Sequence, residues 1–295
     1  MIDSVKLALK GGTFNIINKD FFDGVVVKKP NKFVLVTTMF SNKRGIFKKN
    51  GIYFPVIEPQ KRKVETREYT EEDYDLNLQV SIPKLLYGTN IYEISPEQIN
   101  FIYSKLLGCL GKIGIQTNEE AIKTAVLKRA DFSKLVRMPA IYGDTRCAIR
   151  NLMLIGDKPR TEMRMRDYYD DSKGCSLKFH NTTQGFGFYD KFGEIIANGY
   201  TEYEKKIISW IKDSKQTRNL LKIELSLQRK QSMDAVLRRH MQSKKKKFIL
   251  SDIMDTKLCK NILLEAYNKT FDNDFAVIVD LADMKENALE QLLIL

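Results

Sequence analysis

Apolar and polar residues alternate in several short segments of the chain, which is the period of a strand with one buried face. The clearest segment runs from Leu220 to Lys230, where Ile223, Leu225 and Leu227 alternate with polar residues. The same alternation predicts further strands, in chain order VKLAL, TFNII, KFVLVTTMF, LKRADFSKLV and RTEMRMRDYY.

A hairpin is predicted by two alternating segments and the turn sequence between them, SLKFHN, TTQG and FGFYDKF. On its second strand we expect Tyr189 and Lys191 to lie on one side and Phe188 on the other. A phenol and an ammonium group would then lie together in a segment that is otherwise apolar.

Helical periodicity begins at Ser95, a favourable N-cap that is followed by Pro96 and Glu97 in the first turn. Apolar residues then recur at helical spacing up to Gly111. Because helices and antiparallel strands occur in separate runs, the sequence predicts an α+β fold with a central antiparallel β-sheet and flanking helices. Further helices are expected over 119–126, over 202–213 and after Phe248.

The chain has 295 residues, of which 43% are apolar, enough for one large domain or two smaller ones. We expect a main domain over 1–240, with a division into two sheet halves near 115 as an alternative, and a C-terminal helical region over 248–295. No apolar run approaches the roughly 18 residues of a membrane span, and we expect no membrane association. The four cysteines form no Cys-x-x-Cys pair, so we expect a cytoplasmic protein in a reducing compartment.

The net charge of +12 is unevenly distributed along the chain. Residues 251–295 carry −5, so the first 250 residues carry +17. A basic body favours a polyanionic partner such as nucleic acid, although a lysine-rich proteome would give the same charge without a function. The most basic segment, 218–247, contains ten Lys or Arg and two acidic residues. It is the best candidate for a DNA contact by charge, and a solvated helix is the alternative.

Missing motifs argue against several enzyme classes. The two histidines, His180 and His240, form neither the His-hydrophobic-His motif of rolling-circle nucleases nor the His-x-x-Arg motif of tyrosine recombinases. No G-x-x-x-x-G-K-[ST] loop is present, which disfavours a helicase or a kinase.

Three predicted strands carry a carboxylate or a phenol on the polar side, at Asp131, Glu224 and Tyr189. If these strands are neighbours, the two carboxylates could bind Mg²⁺ or Mn²⁺ through oxygen, and the cation could polarise a scissile phosphate. A tyrosine has a pKa near ~10, so it needs help to attack at neutral pH, which Lys191 could supply by stabilising a phenolate. The alternative is that all four are ordinary polar residues of a sheet.

Five segments follow one another in a particular order: MIDSVKLAL, SIPKLLYGTNIY, KRAD, YDKFGE and LLKIELSLQRK. Together they resemble the replication initiation proteins of filamentous phages (the gene II/X family) and related plasmid initiators, over roughly residues 1 to 240. The resemblance implies a rolling-circle Rep nuclease-like fold, with a permuted HUH-type fold as an alternative. It matches Tyr189, Lys191 and Glu194 to the family pattern Tyr-x-Lys-x-x-Glu, and Asp131 to an Arg-x-Asp strand.

The resemblance implies a metal-dependent DNA endonuclease and strand transferase that initiates rolling-circle replication. Tyr189 would attack one strand at the origin, leave a 5′-phosphotyrosine and a free 3′-OH, and later rejoin the strands. Lys191 and Glu194 would assist this chemistry. Its partners would be single-stranded or supercoiled origin DNA, a host helicase and a host polymerase.

The metal, Mg²⁺ or Mn²⁺, would be held by Asp131 and by Glu224 of the family's central glutamate strand. That strand often carries a second acid where this chain has Gln228. A third carboxylate ligand is therefore missing, and His180 is a candidate replacement, as is Glu194.

Alternatives remain for the nucleophile, the DNA contacts and the function. Tyr168 and Tyr169 in RDYYDD are rival nucleophiles, but the flanking acids would raise their pKa and repel phosphate. A non-catalytic DNA-binding protein on the same fold and a conjugative relaxase are the alternative functions. Candidates for contacts to the DNA backbone are Arg129, Arg164, Arg166, Arg238 and Arg239.

Overall fold

An eight-stranded antiparallel sheet lies at the centre of the computed structural model, which describes residues 1–17, 25–29, 32–36, 47–61, 74–138, 144–155, 165–171, 174–214 and 219–271. The described strands are β1 (Ile2–Leu9), β2 (Phe14–Ile16), β3 (Val25–Lys29), β4 (Lys32–Val36), β5 (Val56–Lys61), β6 (Tyr74–Ser81), β7 (Ile115–Thr117), β8 (Val126–Arg137), β9 (Met165–Asp171), β10 (Gly174–His180), β11 (Gln184–Asp190) and β12 (Leu220–Leu227). The large sheet has the order β5-β6-β1-β8-β12-β11-β10-β9. Two antiparallel ribbons are separate from it, β2 with β7 and β3 with β4.

The described helices alternate with these strands along the chain. They are α1 (Ile82–Tyr87), α2 (Ile99–Lys112), α3 (Glu119–Lys123), α4 (Thr145–Ile155), α5 (Lys191–Asn198), α6 (Glu202–Ser214), α7 (Lys230–Met241) and α8 (Thr256–Thr270). Short 3₁₀ turns precede two of them, Pro96–Gln98 before α2 and Leu250–Ile253 before α8. No helix in these described ranges is long and apolar enough to cross a membrane.

One face of the large sheet is apolar and carries the main core. Its strands contribute residues such as Leu7, Phe132, Phe186 and Leu225, all buried. Helices α2, α4, α7 and α8 cover this face and add the buried side chains Ile102, Ile149, Leu237 and Ile262 to the same core. Burial of this surface is the main force that holds helices and sheet together.

The opposite face of the sheet is polar. One transverse row on it joins His180, Gly185, Ser226, Asp131 and Ser4, which are consecutive partners across β10, β11, β12, β8 and β1. Helices α5 and α6 lie at one end of this face and pack together through a small apolar cluster, Ile195, Ile207 and Ile211. Lys222, at this end of the face, is buried.

The predicted α+β class with a central antiparallel sheet and flanking helices is confirmed. The helix predicted at Ser95 begins there as a 3₁₀ turn, and the Ser95 amide donates to Oε1 of Gln98 at 2.9 Å. Helix α6 and the strands over 127–136 and 220–227 also lie where the periodicity placed them. Helices α1 and α4 and strands β5 and β6 were not predicted.

The expectation that Tyr189 and Lys191 share one side of a strand is wrong. Strand β11 ends at Asp190, whose side chain accepts a hydrogen bond from the Gly193 amide and so caps α5. Lys191 is therefore the first residue of a helix.

Two other element predictions need correction. The helix predicted over 119–126 ends at Lys123, because Val126 already pairs in the large sheet. In the predicted strand RTEMRMRDYY the alternation puts Met163 and Met165 on an apolar side, but Met165 is 47% exposed on β9, the last strand of the sheet order. Met163 lies outside the described residues.

The two sheet halves proposed on either side of residue 115 form one sheet, and the C-terminal helical region packs on the same core. Strands from both sides of residue 115 join the same sheet, since β1 pairs with both β6 and β8. The described part of the C-terminal helical region also belongs to this core. The ring of Phe271 packs against those of Phe179 and Phe188, with centroid separations of 5.5 and 5.6 Å.

Candidate active site

Tyr189 lies on the polar face of the sheet, next to a glutamate and a lysine of the neighbouring strand. The register pairs Tyr189 with Lys222 and Gly187 with Glu224 across β11 and β12. Because side chains alternate between the faces of a strand, all three charged or phenolic groups point the same way. The phenol hydroxyl donates a hydrogen bond to Oε2 of Glu224 at 2.9 Å.

The phenol of Tyr189 is held in its protonated form. Burial raises its pKa well above the usual value of 10.0, and the carboxylates of Glu224, Asp3 and Glu194 raise it further. Burial also raises the pKa of Glu224, although Lys222 opposes that shift. A carboxylate with a raised pKa is a better proton acceptor, and Glu224 already accepts from the phenol.

Lys222 links two carboxylates beneath this site. Its Nζ lies 2.8 Å from Oδ1 of Asp3 and 3.3 Å from Oε2 of Glu224, and its side chain is 1% exposed. Burial alone would lower the pKa of Lys222, but the two carboxylates outweigh it and raise that pKa. Burial tends to raise the pKa of Asp3, but the positive charges of Lys222 and Lys191 outweigh burial, so the pKa of Asp3 is lowered. The ion pairs therefore keep Lys222 and Asp3 charged inside the protein.

A second buried lysine, Lys191, lies near the ring of Tyr189. Lys191 is fully buried, and its ammonium pairs with the Glu194 carboxylate one turn further along α5. The Nζ atoms of Lys191 and Lys222 lie 5.9 and 5.7 Å from the centroid of the Tyr189 ring. Burial lowers the pKa of Lys191, and the nearby positive charge of Lys222 lowers it further. Both lysine ammonium groups thus lie within the usual range of a cation–π contact with the phenol ring.

Asp131 is brought to the same face, in a hydrogen-bonded cluster of its own. Its carboxylate accepts from Nε and Nη2 of Arg129 at 3.1 and 3.0 Å and from the Ser226 hydroxyl at 2.7 Å. The Ser4 hydroxyl also donates to it. In the register Asp131 pairs with Ser226, two residues from Glu224 on the same strand.

The two carboxylates that would hold a divalent cation are engaged by other groups of the chain. Asp131 is occupied by Arg129 and two hydroxyls, and Glu224 by Tyr189 and Lys222. Over the described ranges, no three His, Cys, Asp or Glu side chains are grouped so that they could hold a metal ion. A cation at Asp131 would have to displace the Arg129 guanidinium.

His180 is on the polar face but not beside Asp131. The two residues lie three strands apart in one row, about 14 Å at the usual strand spacing of about 4.8 Å. One ion cannot be bound by both side chains across that distance. Nε2 of His180 instead lies 2.8 Å from Oδ2 of Asp167.

The arginines predicted to contact DNA are dispersed over the fold. Arg238 and Arg239 lie on α7, which covers the apolar face, so they are on the opposite side of the sheet from Tyr189. They are ion-paired with Asp234 and Glu265 at 3.6 and 2.5 Å. Arg166 pairs with Phe179 in the register and so also faces away from Tyr189. Arg129 alone of the described candidates reaches the polar face, and Arg164 lies outside the described residues.

The rival tyrosines Tyr168 and Tyr169 point to opposite faces of the sheet. Tyr169 pairs with Ser176 and shares the face of Tyr189, whereas Tyr168 pairs with Leu177 and points to the other face. A hydrogen bond to Asp171 raises the pKa of Tyr169, as expected from the flanking acids. The pKa of Tyr168 is raised mainly by burial.

Two residues of this site, Lys222 and Asp3, were not predicted from the sequence. Lys222 could have been found, because it alternates with Glu224 on the polar side of β12. Asp3 could not, because it reaches Lys222 from an irregularity in β1 where the register shifts between Ile2 and Ser4.

No family model matches the sequence, and no match is found among curated proteins or among solved structures.

The raised pKa of Tyr189 predicts a specific loss of stability at alkaline pH. The unfolded chain releases the phenol proton near pH 10, whereas the folded chain retains it, so the free energy of unfolding falls as pH rises above 10. Above pH 10, the free energy of unfolding of the wild-type protein should fall by up to about 1.4 kcal/mol per pH unit relative to that of Tyr189→Phe. Urea denaturation of both proteins from pH 8 to 11 would measure this, and parallel curves would contradict it.

Proposed function

We propose that the protein is a DNA-nicking and strand-joining enzyme with Tyr189 as its nucleophile, of the rolling-circle replication initiator type. The finer fold assignment, a Rep nuclease-like arrangement, and origin DNA, helicase and polymerase as partners belong to the same proposal. So does action in the cytoplasm. The observation that carries it is the hydrogen bond from the Tyr189 phenol to Glu224, under two buried lysines.

The polar face beside Tyr189 supports the approach of a nucleic acid strand. Gly185 and Gly187 place no side chain on this face of β11. A Cβ at Gly185 would lie 2.8 Å from Cε of Lys178, so the Lys178 side chain extends across the strand. A phosphodiester crossing β11 would therefore meet the Lys178 side chain on its way to Tyr189.

The contacts of Tyr189 suggest how the phenol would react. Its proton passes to Glu224 as the phenol oxygen attacks phosphorus. The bond between phosphorus and the 3′ oxygen breaks, and the 3′ oxygen takes a proton from water. Lys222 and Lys191 would offset the negative charge that develops on the phenol oxygen as its proton leaves. Because the phosphotyrosine retains the energy of the broken bond, the reverse reaction rejoins the strands without a nucleotide cofactor.

A need for Mg²⁺ or Mn²⁺ is part of the proposal, with Asp131 and Glu224 as the proposed ligands. The cation would compete with Arg129 for Asp131, since these two groups are bound to each other.

Nicking of supercoiled plasmid DNA that carries the protein's own origin tests the proposal. We expect relaxed circles with protein attached to the 5′ end, and more of them with Mn²⁺ than with EDTA. Equal nicking with EDTA would remove the metal from the proposal but leave the nucleophile. No nicking with any divalent cation would contradict the enzymatic function. A conjugative relaxase, the alternative with the same chemistry, would nick a transfer origin instead.

A non-catalytic DNA-binding protein is the second candidate. The raised pKa of Tyr189 favours it, because a phenol that stays protonated is a poor nucleophile. This candidate predicts binding of the same DNA without any nick or covalent adduct.

A further inference from the structure

A cleft of about 390 Å³ lies beside Tyr189 on the polar face. It opens between α5 and the strands β9 and β10. Helix α5 and strand β10 approach each other closely at Gly193 and Gly174. The side chains that define its chemistry are Tyr169, Ser176, Tyr189, Glu194, Ala197 and Asn198.

Two phenol rings border this cleft. Tyr169, Ser176 and Tyr189 are consecutive partners in one row of the sheet, so the rings flank the serine on the floor. Tyr169 is 52% exposed at the surface, whereas Tyr189 is half-buried. A planar aromatic ligand can stack on such rings whatever its sequence context, as bases of single-stranded nucleic acids do.

Glu194 gives the cleft a hydrogen-bonding preference. One of its oxygens is bound by Lys191, and the other has no partner in the described part of the chain. A carboxylate only accepts hydrogen bonds, so it favours a ligand edge that carries an amino group. Adenine, cytosine and guanine present an exocyclic amine, whereas thymine presents a single N–H between two carbonyl oxygens that would repel the carboxylate.

We propose that this cleft binds the nucleobase next to the scissile phosphate, and that Glu194 selects a base with an exocyclic amino group. The inference rests on the proposed function and deepens it, since Tyr189 itself forms one wall of the cleft. It assigns Glu194 to the reading of a base. Tyr169 is then a stacking residue.

Selection from a pool of random single-stranded oligonucleotides tests this, with sequencing of the bound fraction. The parent protein is Tyr189→Phe, which cannot nick the pool. We expect one position at which A, C or G is enriched about tenfold over T. Adding Glu194→Gln should reduce this enrichment to about twofold or less, because an amide donates as well as accepts.

A second variant keeps the test valid if Glu194→Gln weakens the fold by leaving Lys191 without its charged partner. Ala197 is an exposed residue of α5 that lines the cleft. Its replacement by leucine would fill the cleft and leave the ion pair between Lys191 and Glu194 intact. It should abolish the preference at the same position. Glu120→Gln, an exposed change on α3, is the matched control and should retain it.

The outcomes separate the two proposals. If the parent binds DNA and both cleft variants keep its preferences, the cleft does not read a base, and the nicking proposal stands. If the parent binds no single-stranded DNA, the cleft proposal fails, and the nicking assay with supercoiled DNA decides the proposed function separately. Loss of the preference in both variants but not in Glu120→Gln would support the cleft.

Discussion

Replacing Tyr189 with phenylalanine should abolish the covalent protein–DNA adduct and reduce nicking by at least about four orders of magnitude, because the variant lacks the attacking oxygen. The fold should persist. Glu224 loses the hydrogen bond from the phenol but keeps its ion pair with Lys222, so the expected loss of stability is about 1 kcal/mol. The adduct is measured by denaturing electrophoresis with a labelled origin oligonucleotide, and folding by circular dichroism.

Tyr168→Phe is the matched control for this experiment. It also removes one phenol hydroxyl, but from the face of the sheet that points away from Tyr189. It should nick like the wild-type protein. An adduct that persists in Tyr189→Phe would show that another residue is the nucleophile, and Tyr169, on the same face as Tyr189, would be the next to test.

The largest effect on stability is expected from Lys222→Met. This change fills a similar volume but leaves Asp3 and Glu224 as buried carboxylates without their shared cation. Breaking a buried ion pair in this way typically costs about 3–5 kcal/mol. The deficit should shrink as pH falls, because unpaired buried carboxylates have raised pKa values and become neutral by binding protons. Urea denaturation at several pH values would measure both effects.

Lys6→Met provides the comparison for Lys222→Met. Lys6 also pairs with a carboxylate, Glu58 at 3.2 Å, but both side chains are partly exposed. Its loss should change the free energy of unfolding by no more than about 1 kcal/mol. Adding Asp3→Asn to Lys222→Met should recover part of the deficit. If Lys222→Met costs no more than Lys6→Met, the buried pairs do not stabilise the fold as argued.

Local patterns of the sequence were sufficient for much of the sheet. The alternation around Glu224 placed that residue on a polar face, and the observed strand β12 buries Ile223, Leu225 and Leu227 on the other. The same alternation failed after Tyr189, because a capping aspartate ended the strand one residue before Lys191. Capping competes with strand periodicity over a single residue, and the alternation alone does not reveal which of them prevails.

Charge in the sequence indicated a basic protein but not where its cations point. The segment 218–247 is the most basic by count, yet the structure places α7 across the sheet from Tyr189 and pairs Arg238 and Arg239 with acids. Ion pairs between distant segments cannot be read from composition, because they depend on which helix packs on which face.

By itself, the sequence determined the α+β class and the sidedness of the strands that carry Asp131, Tyr189 and Glu224, because the period of two is a local property of the chain. Only the tertiary structure decided which of these groups meet. It joined Tyr189 to Glu224, brought Asp3 to Lys222 from the other end of the chain, and left His180 three strands from Asp131. Strand order and register set these distances, and both are fixed by the packing of the whole sheet.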